Sequence, residues 1–144
     1  MVIFMNKIWN IDRELLQSVY NPGHLQDLLY DIEESLNSHN GAVYFWKEET
    51  VVSVLRTEPY QEGVLLFNLE TSKDYRQQGY ATKLVKAVIL DIRKNDNIPV
   101  YVHIEKGNIP SLHLHEKIGF QICAEYGKLI DGTVSHRYYT MVYK

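Results

Sequence analysis

One cysteine, no surplus of positive charge and no long apolar run: each shortage removes a class of function from this sequence. Cys123 is the single cysteine in 144 residues. It can close no intrachain disulfide and complete no four-cysteine zinc site, and one thiol suits a reducing, cytoplasmic setting. Fifteen Lys and Arg against eighteen Asp and Glu give a formal net charge of −3. That argues against broad binding to nucleic acid or to an anionic membrane, since both require a basic face. Met1-Val-Ile-Phe-Met5 is apolar but too short for a signal-peptide core or for the ~20 residues of a spanning helix; it reads as part of a first strand, the alternative being a terminal tail packed on the core. Gly-x-x-x-x-Gly-Lys-Ser/Thr and Gly-x-Gly-x-x-Gly are both missing, which weakens any nucleotide-phosphate reading. His-Glu-x-x-His is missing too. His113 and His115, two apart on a helix, point in different directions, so no metal site is expected.

What is present is an ordinary globular composition, 45% hydrophobic and 23% charged, at a length that suits one domain over residues 1–144 with a single core. Asp12 to Tyr20 reads as a short helix ended by Asn21-Pro-Gly23. His24 to Ser38 reads as a second, with Leu25, Leu28, Leu29, Ile32 and Leu36 on one stripe. Ala42 to Trp46 and Val51 to Arg56 form a hairpin about Lys47–Thr50, and Pro59 to Gly63 make the next turn. Val64 to Thr71 is a strand rich in β-formers. After the turn Ser72–Tyr75, Leu84, Val85, Val88, Ile89 and Ile92 recur at helical spacing. Asn95-Asp-Asn97 ends that helix and Pro99 opens the strand Val100–Ile104. A helical crossover makes this strand parallel to Val64–Thr71. Asn108 sits where an N-cap belongs, with Pro110 in the first turn, and the helix runs to about Lys117. Gly119-Phe120 starts a strand to about Tyr126, Asp131-Gly132 turn the chain, and Val134 to Tyr143 is the last strand.

The stretch from Asn68 to Ile92 carries the chemistry. A glycine at a helix start lets a ligand approach the backbone, having no Cβ. The first-turn N–H groups and the helix dipole there favour phosphate. Arg76-Gln-Gln-Gly79-Tyr-Ala81 resembles the acyl-CoA pyrophosphate loop of the GNAT superfamily of N-acyltransferases, Gln/Arg-x-x-Gly-x-Gly/Ala, with every specified position filled. A second block, Val102-His-Ile-Glu-Lys-Gly-Asn108-Ile-Pro-Ser111-Leu-His-Leu-His115-Glu-Lys-Ile-Gly119-Phe120, is similar to the family's strand, Asn-capped helix and Gly-Phe step. The resemblance covers about Val51 to Lys144 and is faint before that.

It implies an α/β (α+β) fold: a single GNAT-like domain with a mixed, mostly antiparallel sheet, two splayed central parallel strands and flanking helices. It implies an acetyl-CoA-dependent N-acetyltransferase, with direct attack by a small-molecule or protein amine in a ternary complex. By the same resemblance, backbone groups of Leu69 and Thr71 pair with pantetheine amides. Residues Gln77, Gln78, Gly79, Tyr80, Ala81 and Thr82 supply amides to the pyrophosphate, and Arg76 adds charge or is a plain surface cation. Asn108 bonds pantetheine besides capping its helix, and Ser111 faces the cofactor. His115 stands where many relatives carry a tyrosine that protonates the leaving thiolate. A histidine keeps a donor but lowers its ordinary pKa from about 10 to about 6.5; the alternative is a histidine that merely packs there. Glu70 is either a general base or a solvent-facing carboxylate, and Glu62 is a second such candidate. Glu58, Glu62 and Glu70 hint at a cationic acceptor, although scattered surface carboxylates would look the same. Cys123 reads as a buried strand residue and not a nucleophile. The family often forms homodimers, which leaves that state open. A catalytically silent acyl-CoA-binding sensor or scaffold is the competing class.

Overall fold

The computed structural model describes residues 2–5, 41–49, 51–94, 96–129 and 131–144. The helices expected over Asp12–Tyr20 and His24–Ser38 lie outside the described residues. Seven strands form one sheet: β1 (Val2–Met5), β2 (Ala42–Lys47), β3 (Val51–Tyr60), β4 (Gly63–Thr71), β5 (Val100–Glu105), β6 (Gln121–Ala124) and, last in the chain, β9 (Tyr138–Tyr143). Their order is β1-β2-β3-β4-β5-β9-β6. All neighbours are antiparallel except β4 and β5, which are parallel. Two short strands, β7 (Gly127–Lys128) and β8 (Val134–Ser135), pair separately. They interrupt the single strand expected over Val134–Tyr143 and end the one from Phe120 early, because the chain turns at His136–Arg137 before β9.

The helix α1 (Tyr80–Ile92) is the parallel crossover, and α2 (Ile109–Ile118) follows β5. α1 buries Leu84, Val85, Val88 and Ile89 in a cluster with Leu55, Leu66, Val102, Ile104, Leu112, Phe120 and Met141. Burying each such side chain contributes about 1.5–3 kcal/mol, whereas an N-cap is worth about 1 kcal/mol. Packing therefore holds α1 in place without a capping side chain, and it has none.

β3 runs on through Pro59, so the turn is Gln61–Glu62 and not Pro59–Gly63. Proline is tolerated because Pro59 lies opposite Val64, whose N–H is directed to Pro99 O at 3.1 Å on the other side. The neighbouring β2 ends at Ala42, opposite Thr57. Among the described residues nothing pairs with Pro59 on that side, so its missing N–H costs no ladder bond there.

Two irregularities open the centre of the sheet. Register steps from Val54↔Glu70 to Arg56↔Phe67, so Leu55 faces both Asn68 and Leu69. Asn68 has φ +53, a left-handed conformation that asparagine tolerates better than most residues, and the result is a bulge. The β4–β5 pairing covers only Val64↔Val100, Leu65↔Tyr101 and Leu66↔Val102. Beyond it the strands part.

Candidate active site

A cavity of about 390 Å³ occupies the gap where β4 and β5 diverge. The strand alternation sorts its walls. Leu66, Val102 and Ile104 belong to the cluster under α1 and α2; Asn108, Ser111 and His115 of α2 reach the cavity from that side. Phe67 packs in the cluster of Tyr60, Leu65 and Tyr101 on the opposite face. His103, between Val102 and Ile104, also points there and lies edge-on to Tyr60 at 5.4 Å. Glu70, His103, Glu105 and Tyr138 complete the second mouth. The cavity thus passes through the sheet.

A second cavity, about 430 Å³, is lined by Thr71, Tyr75, Arg76, Gln77, Gly79, Tyr80, Ala81, Thr82 and Leu114. It adjoins the first, since Glu70 lines one and Thr71 the other. Gly79 caps α1 at φ +86, and a Cβ built there would meet no atom within 4 Å. The glycine therefore serves the backbone turn and leaves room for a ligand. The first α1 amide bonded within the helix is that of Lys83, to Gly79 O at 3.0 Å. Those of Tyr80, Ala81 and Thr82 precede it, the arrangement that attracts an anion. Arg76 Nε donates to Thr71 O at 3.0 Å, tying the loop to the strand end.

The sequence-derived residues are thus brought together, with one exception. Gln78 lines neither cavity and donates through Nε2 to Asp74 O at 3.2 Å. Asn108 caps α2, its Oδ1 accepting from Ser111 N at 3.3 Å. His115 is buried, with Nδ1 2.8 Å from Ser111 O. A carbonyl only accepts, so Nδ1 carries the proton and Nε2 is bare in the neutral ring. Burial pulls its pKa below the ordinary value, and the Ser111 carbonyl partly opposes this.

Other acidic candidates separate. Glu62 sits at the far turn, accepting from Tyr101 Oη at 2.7 Å; burial first, and then this bond and the Glu62 charge, push that phenol up to about 12. Glu58 is buried. Of the three carboxylates that hinted at a cationic acceptor, Glu70 alone lines the cavity. Cys123 is exposed, contrary to the expectation of burial, because β6 is an edge strand; its Sγ donates to Thr140 O at 3.4 Å. His103 and Glu105 escaped the sequence reading; of the last-strand tyrosines Tyr138, Tyr139 and Tyr143, any one of which could wall an acceptor pocket, Tyr138 lines the cavity. The available signal was the alternation in Val102-His-Ile-Glu105, which sends His103 and Glu105 to the face opposite the apolar pair. Among the described residues no group of three His, Cys, Asp or Glu is placed to hold a metal, and no helix is long and apolar enough to cross a membrane.

The backbone matches solved acetyltransferases at low identity. An acetyltransferase from Bacillus subtilis in complex with CoA shares 16% identity, with 99% of this chain and 97% of that one covered and a TM-score of 0.71. A GNAT family acetyltransferase from Elizabethkingia anophelis with acetyl-CoA bound shares 17%, covering 100% and 97% with a TM-score of 0.69. The ribosomal-protein-S18-alanine N-acetyltransferase of Escherichia coli shares 16%, covering 99% and 93% with a TM-score of 0.64. No curated protein matches the sequence. These likenesses establish the fold. The profile of the family described as FR47-like protein matches residues 49–128, more than half of the chain and both blocks that line the cavities up to Glu105 and α2. By that match the chain belongs to the FR47-like family, within the GNAT superfamily.

Proposed function

We propose that the protein is an acetyl-CoA-dependent N-acetyltransferase acting on a primary amine of a small molecule or a protein, by direct attack in a ternary complex. The observation that carries this is the cavity through the sheet, open on two faces and adjoining an uncapped helix N-terminus. One ligand can enter from the α1–α2 face while the other approaches from the opposite face. The fold is shared with acetyltransferases solved with CoA and with acetyl-CoA.

The residues present fit acetyl-CoA. Bound, it supplies an acetyl group activated as a thioester. The amides of Tyr80, Ala81 and Thr82 would hold the pyrophosphate, with Arg76 adding charge. β4 from Phe67 onward has no pairing on its β5 side, so backbone groups about Leu69 and Thr71 are available to an amide-bearing arm, and one N–H there would polarise the thioester carbonyl. Asn108 uses Oδ1 for its cap and keeps its NH₂ for the same arm. Ser111 is small enough to leave the wall open. His115 lies on this side, close to where a thiolate would depart. Glu70 stands at the other mouth, where an amine would arrive.

Purified protein, acetyl-CoA and a panel of amines, followed by thiol release, tests the reading. Amine-dependent thiol release is the expected result. Tight acetyl-CoA binding with no release to any amine would favour the silent acyl-CoA-binding module.

A further inference from the structure

His103 takes no part in the scheme above, yet the structure fixes its chemistry. Tyr60 Oη donates to Lys128 O at 2.7 Å and lies 3.2 Å from His103 Nε2. A phenol has one proton, and the carbonyl takes it, so Tyr60 can only accept from the ring. Nε2 therefore carries the ring proton and Nδ1 holds the lone pair. A Cβ on Gly127 would lie 3.3–3.4 Å from Cδ2 and Cγ, so the main chain closes over that side of the ring. With Nε2 held by Tyr60, the Nδ1–Cε1 edge is the one left for the cavity that His103 lines. Among the described residues Nδ1 has no hydrogen-bond partner.

We propose that His103 takes the proton from the acceptor ammonium through Nδ1, and that Tyr60 is the positioning residue that keeps this nitrogen bare. The proposal rests on the N-acetyltransferase reading and deepens it. The ammonium gives one proton to Nδ1, and the imidazolium passes it to solvent. The freed lone pair forms the C–N bond to the acetyl carbon, and the C–S pair leaves with sulfur. The second amine proton is lost as the amide forms and balances the proton that sulfur gains. No other reactant is needed. Burial lowers the His103 pKa, so the neutral, accepting form prevails at neutral pH. The groups on its side of the cavity are Tyr60 of β3, Glu70 of β4, Tyr138 of β9, and Tyr101 and Glu105 of its own strand. Burial raises the Tyr60 pKa, and charge repulsion from Cys123 and Tyr126 adds to it, so Tyr60 stays protonated throughout the working range.

The test compares the parent with His103→Ala and Tyr60→Phe. His103→Ala should lower kcat/KM for the amine by about 10²–10⁴-fold at pH 7 while the calorimetric acetyl-CoA affinity stays within twofold. Its acid limb should give way to a rate that climbs with pH, as free amine becomes available unaided. Added imidazole should restore part of the rate. Nitrogen NMR of the parent should report the Nε2–H tautomer of His103, and Tyr60→Phe should give a tautomer mixture with a smaller rate loss. If His103→Ala does not fold, His103→Gln serves the same comparison. A parent that transfers acetyl while the His103 variants match its rate and pH profile overturns this proposal and leaves the function standing. An Nδ1–H tautomer in the parent does the same. A parent that binds acetyl-CoA but acetylates no amine overturns both.

Discussion

His103 and His115 border one cavity from opposite faces of the sheet, and each is pinned by a different ring nitrogen. Tyr60 occupies Nε2 of His103, and the Ser111 carbonyl occupies Nδ1 of His115. Each ring is left one bare nitrogen, Nε2 on the α1–α2 face for His115 and Nδ1 on the opposite face for His103. Burial lowers both pKa values. In the proposed acyl transfer such a pair would handle protons at two ends of one reaction: one ring neutral and accepting, the other needing to gain a proton before it can give one.

That requirement sets the pH response of His115. To serve as acid it needs its second proton on Nε2, and that form thins out above its depressed pKa. The rate should be bell-shaped with an alkaline limb lower than a tyrosine acid would give. His115→Tyr should keep activity and move the limb upward. His115→Phe should slow turnover with little change in acetyl-CoA affinity. A parental rate and unchanged profile in His115→Phe would remove the acid role and leave solvent or a last-strand tyrosine to supply the proton.

The same two histidines make folding sensitive to acid. Their folded pKa values lie below the unfolded value of about 6.5, so the unfolded chain binds more protons below that pH. The stability they contribute is complete above pH 6.5 and declines as pH falls through the folded values. Urea midpoints should drop between pH 7 and pH 5. The double variant His103→Gln with His115→Phe should show a shallower drop.

Gly79→Glu should weaken acetyl-CoA binding by on the order of 10- to 100-fold, from like charges at a few ångströms in a partly dry site. Calorimetric titration of the variant, with its fold verified by circular dichroism, gives the answer. An affinity equal to the parent's would dissociate the α1 N-terminus from the pyrophosphate.

Cys123 should not carry acetyl. Its thiol bonds the Thr140 carbonyl, and partial desolvation of the sulfur, on an otherwise exposed residue, raises its pKa, so the nucleophilic thiolate is scarce. Cys123→Ala should turn over as the parent does. Mass spectrometry after exposure to acetyl-CoA alone should find no adduct; a stoichiometric acetyl-cysteine that passes to amine would replace the ternary complex with a two-step route.

Gly63→Ala should destabilise the chain by about 1–3 kcal/mol, because a Cβ there would collide with the main-chain carbonyl of Pro99. Thermal or urea unfolding would measure it. A neutral result would mean that the start of the β4–β5 pairing yields easily.

The loop of Arg76–Ala81, the parallel crossover and the Asn108 cap were legible because each is local: residues within one turn satisfy or expose one another's backbone groups. The bulge at Asn68 was not, since its signal is a register step between strands rather than a residue type. Nor was the Tyr60–His103 contact. Those residues are 43 apart, and only the pairing of β3 to β4 to β5 brings them together. Cys123 was misjudged because β6 reads like any strand until its place at the sheet edge is known.

Three residue pairs bind β4 to β5, and the cavity starts where a fourth would stand. The protein therefore forgoes backbone bonds worth about 0.5–1.5 kcal/mol each to keep its middle unzipped. At Asn68, therefore, thermostability and the proposed activity should pull against each other. A search for heat-resistant variants would enrich replacements that relax its positive φ and let the ladder run on. The most stable survivors of such a search would be those with the gap closed and no place left for an acyl donor.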